Sequence, residues 1–153
     1  MRGRGRWVVI GVLLVVHFAL HPVWSGWRAG PDLLAGGLLL GSLGLRSSRA
    51  AALGFVFGML EASMALGPLG PTMLVLAAAG WVGAWLRDVL YSDSARFMPA
   101  FLVVGVWAIE VLLAIVSGTG VSPGTVFLYA PLSAVFTAAV CWCAERFVSF
   151  FLG

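Results

Sequence analysis

The sequence predicts an all-α integral membrane protein of six transmembrane helices, with both chain ends on the cytoplasmic side. Of its 153 residues, 61% are hydrophobic and only 10% are charged, whereas soluble domains average about 25% charged residues. Six apolar runs leave few residues for a soluble domain, so the chain 1–153 is expected to form one membrane domain. The predicted spans are residues 7–24, 32–45, 50–66, 72–86, 97–116 and 125–144.

The arginines support all six spans and predict their orientation. If the N-terminus is cytoplasmic, only Arg28 lies in an outer loop, and eight arginines lie in cytoplasmic segments. These eight are Arg2, Arg4, Arg6, Arg46, Arg49, Arg87, Arg96 and Arg146. This positive-inside bias arises only if every run crosses the bilayer, and it argues against a small exporter of dual topology. The net charge of +3 therefore reflects membrane topology, not nucleic-acid binding.

The first run, residues 7–24, follows a charged start and resembles a signal peptide. However, the tripeptide Val23-Trp24-Ser25 is a poor cleavage site, and further apolar runs follow it. We therefore expect an uncleaved first transmembrane helix.

The second run begins at Pro31-Asp32, a favourable helix start because proline has no amide to leave unbonded and an acid meets the positive end of the helix dipole. Residues 33–45 span only about 20 Å as a helix, against a hydrocarbon core of about 30 Å. This helix therefore either recruits residues from both flanks or sits within the bundle. Glycines in the second and third runs would let another helix approach closely. The candidates for helix packing or partner binding are Gly36, Gly37, Gly41, Gly44, Gly54 and Gly58.

The third run carries one carboxylate, Glu61, and ends at Gly67-Pro68-Leu69-Gly70-Pro71. A helix cannot continue unbroken through this sequence, so the chain is expected to turn there. A carboxylate within a membrane span is costly unless it faces protein or water, so Glu61 is expected to face inward. The predicted turn residues are Pro31, Pro68, Gly70 and Pro71.

Turn-rich and polar loops separate the last three runs. In the sixth, Pro131 is expected to bend the helix, and the apolar tail 147–152 is expected to lie in the membrane interface. Cys141 and Cys143 point to different sides of a helix and match neither a CxxC motif nor a disulfide framework. Packing is therefore their expected role.

Three ionisable residues are predicted to share one layer in the outer half of the membrane. His17, Glu61 and Glu110 lie 11, 12 and 14 residues past the preceding cytoplasmic arginine, or roughly 16–21 Å along a helix. They could form a proton or cation site, or a metal site with His21. Alternatively, each acid is protonated or hydrogen-bonded to a neighbouring helix, and this structural role is favoured because burial favours the neutral carboxyl group and no intramembrane Arg or Lys is available to pair with it. A metal site is disfavoured because two histidines without a clear third ligand are not a zinc site. Asp32 is interpreted as a helix N-terminal acid.

Four short motifs carry a resemblance to a known family. They are Pro31-Asp32-Leu33-Leu34, Gly54-Phe55, Gly58-Met59-Leu60-Glu61 and Pro68-Leu69-Gly70. In this order and spacing, residues 31–87 resemble the bacterial rod shape-determining protein family MreD, and Gly80-Trp81 followed by Arg87 looks like the family's Gly-Tyr and closing basic residue. Two positions depart from the family pattern: Glu61 stands where aspartate is usual, and Gly83 arrives one residue early.

The resemblance implies a non-enzymatic scaffold of the cell-elongation machinery in the bacterial inner membrane. The implied partners are MreC, the actin-like MreB filament, the RodA glycosyltransferase and its penicillin-binding transpeptidase. The implied fold is that of the substrate-binding subunits of energy-coupling-factor vitamin transporters. No intramembrane-protease motif is present, so we predict neither enzymatic activity nor a cofactor. The alternative is a small-solute binding subunit of a transporter that uses the layer of His17, Glu61 and Glu110, although the first span lacks the spaced alanines of such subunits.

Overall fold

The described part of the chain consists almost entirely of six α-helices. The computed structural model describes residues 2–24, 31–65, 68–90, 97–117 and 123–152. The helices are α1 (Arg2–Trp24), α2 (Leu33–Ser42), α3 (Ser47–Ala65), α4 (Leu69–Leu90), α5 (Phe97–Ser117) and α6 (Pro123–Leu152). Four of them, α1, α4, α5 and α6, contain segments long and apolar enough to cross a membrane. This pattern indicates a helical membrane protein.

Helix α2 forms the centre of the bundle, and all ten of its residues are buried. The other five helices surround it in the order α3, α4, α5, α6 and α1, and α2 packs against each of them. Each outer helix packs against the next, with one exception. Across the described residues, no Cα atom of α1 lies within 8 Å of a Cα atom of α3. We call this break in the ring the α1–α3 gap.

Contacts between the helices show that neighbours run in opposite directions. Near the start of α1, Arg6 meets Glu145 close to the end of α6. In α3, Gly54 lies against Leu76 and Gly58 lies against Met73, so the residue numbers fall in α4 as they rise in α3. Both ends of the described chain therefore lie at one end of the bundle, which we call the terminal end. The opposite end is the distal end.

The length of α2 explains why its sequence was ambiguous. Ten residues form a helix of about 15 Å, half of a hydrocarbon core of about 30 Å. Of the two expectations for this run, the structure supports a helix that sits within the bundle. Asp32 and Leu43 cap the helix, so the helical part is shorter than the predicted span 32–45. Helix α3 is not among the four apolar spans and carries Arg49 and Glu61; the six-span topology and its orientation remain predictions.

Helices α3 and α4 form the closest helix pair, and glycine makes their approach possible. A methyl group added at Gly54 would overlap the carbonyl oxygen of Leu76, and one added at Gly80 would overlap the carbonyl oxygen of Ala50. At Gly58 the added carbon would lie 2.5 Å from the Cα atom of Met73. Because these obstacles are backbone atoms, they cannot move without displacing a helix. The small-xxx-small spacing in α3 thus serves packing inside the chain.

The predicted turn before α4 is wrong at two of its positions. Helix α4 begins at Leu69, so Gly70 and Pro71 lie in its first turn, and only Pro68 precedes it. Proline is compatible with a first helical turn, where its missing N–H group has no intrahelical partner to lose. The Thr72 hydroxyl donates to the Pro68 carbonyl oxygen at 3.0 Å and helps to fix this start. Gly67 falls outside the described residues.

The sixth helix is longer than predicted. Residues 147–152 do not form a separate segment, because α6 continues without interruption from Pro123 to Leu152. Pro131 lies inside this helix, and the predicted bend there remains a prediction. Near the end, the Arg146 guanidinium lies 5.6 Å from the centre of the Trp142 ring, a distance at which a cation–π attraction operates.

Candidate functional site

His17 and Glu61 form a hydrogen bond across the α1–α3 gap. His17 Nε2 lies 3.2 Å from Glu61 Oε2. The sequence places His17 on the buried face of α1, which it shares with Val9, Ile10 and Leu13. Its side chain is only 8% exposed, against 24% for Glu61. The bond therefore joins two helices that do not otherwise pack together along their backbones.

The second nitrogen of His17 has a different environment. Within the described residues, Nδ1 is buried and has no hydrogen-bond partner. The ring contacts Phe18 edge-on at a centroid distance of 5.4 Å, and the His21 ring lies 5.8 Å away. His17 is thus bonded on one side only, toward Glu61.

Glu110 is held in a different way, by a neighbour on an adjacent helix. The Ser133 hydroxyl donates to Glu110 Oε1 at 2.6 Å. Ser133 is buried on α6, and α5 and α6 are packed against each other along their length. This bond therefore gives the Glu110 carboxylate a hydrogen-bond partner between two helices that already pack together.

Asp32 connects these groups to the central helix. Its Oδ1 accepts a hydrogen bond from the Ala35 backbone amide at 3.0 Å and caps the start of α2, as predicted for a helix N-terminal acid. Asp32 lies within electrostatic range of the ionisable side chains of His17, Glu61 and Glu110. The buried Pro31 precedes it. The structure thus brings together residues from five helices at the distal end, and we call this group the distal cluster: His17, Asp32, Glu61, Glu110 and Ser133.

The distal cluster can form hydrogen bonds and attract a cation, but its geometry is not that of a metal centre. Within the described ranges, no three His, Cys, Asp or Glu side chains are arranged to hold a metal ion. The His21 ring is tilted by 55° to the His17 ring and does not complete such a set. Each of the three carboxylates is bonded to a group of the protein itself.

The terminal end carries the opposite charge. Arg6 Nη2 donates to Glu145 at 3.4 Å and joins α1 to α6. Arg87 Nη1 donates to the Leu43 carbonyl oxygen at 3.0 Å, at the C-terminus of α2, where a cation meets the negative end of the helix dipole. The arginines with described side chains all lie at this end: Arg6, Arg46, Arg49, Arg87 and Arg146.

The glycines predicted to pack helices or bind partners make their contacts inside the chain. A methyl group added at Gly36 would lie 2.6 Å from Cys141 Sγ, and one at Gly41 would lie 2.7 Å from Leu53 Cδ2. A methyl group added at Gly37 would lie 3.9 Å from Phe57 Cε2. A methyl group added at Gly44 would lie 3.4 Å from Arg6 Nη1. On α3, Gly54 and Gly58 face α4.

The sequence did not predict a packing role for three glycines or a hydrogen-bonding role for one hydroxyl group. A methyl group added at Gly83 would lie 2.7 Å from Ser42 Oγ, and one added at Gly105 would lie 2.6 Å from Leu39 Cδ1. Gly80 meets the backbone of Ala50, and Ser133 holds Glu110. A small or hydroxyl residue inside an apolar run was the available signal at all four positions, but spacing alone does not say which helix each one faces.

Comparison of the chain with protein-family models, curated proteins and solved structures finds no match in any of the three. The resemblance to the MreD family and the partners that it implies therefore remain predictions.

Proposed function

We propose that the protein is a non-enzymatic membrane scaffold of the bacterial cell-elongation machinery, located in the inner membrane. The observation that carries the proposal is the pairing of both intramembrane glutamates with a neighbouring helix: Glu61 with His17, and Glu110 with Ser133. Polar groups used in this way hold helices together and require no substrate. The motif order that resembles MreD supports the same function.

The proposed docking surface is the outside of the bundle. The predicted packing glycines contact other helices of this chain, so partner helices would meet the exposed apolar faces of the outer helices. Prominent exposed side chains there are Val12 and Val15 on α1, Val104 and Ile115 on α5, and Leu128 and Leu132 on α6. The proposed partners in the membrane are MreC, RodA and its transpeptidase, with MreB on the cytoplasmic side.

Purification of the tagged protein in mild detergent, followed by identification of the proteins recovered with it, tests this function. We expect MreC to be recovered, because a scaffold must bind its partners stably. A control purification with the tag alone identifies adventitious proteins. Recovery of a pair of ATPase subunits in place of MreC would contradict the scaffold function.

The convergence of the distal cluster favours a second candidate, a small-solute binding subunit of a transporter. Ionisable groups from α1, α3 and α5 lie within electrostatic range of Asp32 at the start of α2, and a site for a cationic or polar solute would require such groups. Substituting Glu61→Gln and Glu110→Gln together separates the two candidates. A scaffold should still assemble and support cell shape, whereas a solute site should fold normally and lose its activity.

A further inference from the structure

The α1–α3 gap is the weakest part of the wall around α2. Each other pair of adjacent outer helices packs closely, and in the described residues α1 packs only against α2 and α6. We propose that the gap is a lateral gate of the bundle, and that the His17–Glu61 bond keeps it closed at the distal end. This inference rests on the contacts between the helices and does not depend on the proposed function.

The part of the α1–α3 gap nearer the terminal end is filled by apolar side chains that pack on α2. Gly41 forms the base there: Leu53 from α3 and Ile10 from α1 both reach the position that a side chain at Gly41 would occupy, at 2.7 and 3.5 Å from it. Farther toward the distal end, Phe57 lies above Gly37. These contacts join both α1 and α3 to α2.

At the terminal end, α1 is anchored. Arg6 binds Glu145 on α6, and a methyl group added at Gly5 would lie 3.4 Å from Val148 Cγ1. Positions on the outer face of α1 are exposed: Val15 is 70% exposed, and among the described atoms nothing lies within 4 Å of a methyl group added at Gly11. The buried face of α1 packs on α2, and the hydrogen bond from His17 to Glu61 joins α1 to α3, so loss of this bond would allow the distal part of α1 to move away from α3.

Opening of the gate would change which side chains are exposed at the surface of the bundle. With the His17–Glu61 bond broken, the distal part of α1 could move away from α3 and uncover Asp32 at the start of α2. The cost of separating the two polar side chains limits this motion, because a carboxyl group facing lipid without a partner is unfavourable. The closed form is therefore expected to dominate in the wild-type protein, and loss of either partner of the bond is expected to release α1.

The distance between the distal parts of α1 and α3 tests the proposal. Spin labels at Val15→Cys on α1 and Met64→Cys on α3, both exposed positions, would be introduced with Cys141→Ala and Cys143→Ser. Pulsed electron paramagnetic resonance in lipid nanodiscs should give one narrow distance distribution for this parent. Glu61→Met should add a population at longer distance, and Glu61→Gln, which keeps a hydrogen-bonding group, should restore most of the parent distribution.

Glu110→Met provides the matched control. It removes a similar carboxylate bond, but between α5 and α6, which remain packed, so the α1–α3 distance should not change. If Glu61→Met fails to fold, His17→Leu removes the same bond from the other side, and the same criterion applies. An unchanged distribution in a folded variant that lacks the bond would overturn the proposal, and so would an equal opening in Glu110→Met.

Discussion

The hydroxyl group of Thr137 is the clearest stability defect at the scale of single residues. The residue is fully buried on α6, and within the described residues its Oγ1 has no hydrogen-bond partner. Leaving a buried polar group unpaired costs about 1–3 kcal/mol. Thr137→Val keeps the shape of the side chain and removes the unpaired group, so we expect an increase in stability of about 1 kcal/mol, measured by unfolding in detergent micelles.

The matched control for Thr137 lies one helical turn away. The Ser133 hydroxyl is bonded to Glu110, so Ser133→Ala should lower stability by about 1 kcal/mol. A loss of stability in Thr137→Val as large as that in Ser133→Ala would show that the Thr137 hydroxyl has a partner.

The cap on α2 leads to a second prediction for a single residue. Asp32 Oδ1 accepts from the Ala35 amide, and removing an N-cap side chain costs about 0.5–2 kcal/mol. Asp32→Ala should therefore lower the midpoint of thermal unfolding, while Asp32→Asn, which keeps the acceptor oxygen, should keep most of the stability. Equal midpoints for the two variants would contradict a capping role.

At the scale of helices, the contact between α3 and α4 is the least tolerant of added volume. A methyl group at Gly54 would overlap the backbone of Leu76, so Gly54→Ala must push the two helices apart. We expect a loss of about 1–3 kcal/mol, measured as a lower detergent concentration at half-unfolding.

Gly11→Ala is the control for this helix contact, because it also replaces a helical glycine by alanine. Nothing among the described atoms lies within 4 Å of the added carbon at Gly11. Alanine is a better helix former than glycine by about 0.5–1 kcal/mol, so this variant should be as stable as the wild type or more so. A stable Gly54→Ala variant would contradict the close packing of α3 and α4.

The sequence predicted some helices well and others only in part. Long apolar runs identified α1, α4, α5 and α6 because each has to be apolar over its whole length, and the GxxxG motif in α3 predicted close packing. The sequence Gly67-Pro68-Leu69-Gly70-Pro71 predicted a turn that included Gly70 and Pro71, but both residues lie in the first turn of α4, which accepts proline as the start of α2 does. The sequence also could not show which helix Gly83 and Gly105 face, because a glycine indicates that another helix can approach closely but not which helix does so.

At the scale of the whole molecule, the described ionisable side chains are divided between the two ends of the bundle. The described arginine side chains gather at the terminal end, and His17, Asp32, Glu61 and Glu110 gather at the distal end. The sequence predicted a shared layer for His17, Glu61 and Glu110 from their distances to the nearest arginine. It could not predict that α2 is the centre of the bundle or that the ring is open between α1 and α3, because these depend on how side chains of different helices fit together.

The central claim is that both ends of the described chain lie at the terminal end of the bundle, where α1 and α6 are antiparallel and in contact. Disulfide cross-linking in native membranes tests it directly, with Gly5→Cys and Val148→Cys in a chain that carries Cys141→Ala and Cys143→Ser. Because a carbon at Gly5 would lie 3.4 Å from Val148 Cγ1, oxidation should link this pair rapidly. The control pair, Gly5→Cys with Phe127→Cys at the distal end of α6, should stay unlinked. Linking of the control pair and not of the first would place the chain ends on opposite sides of the membrane and contradict the fold.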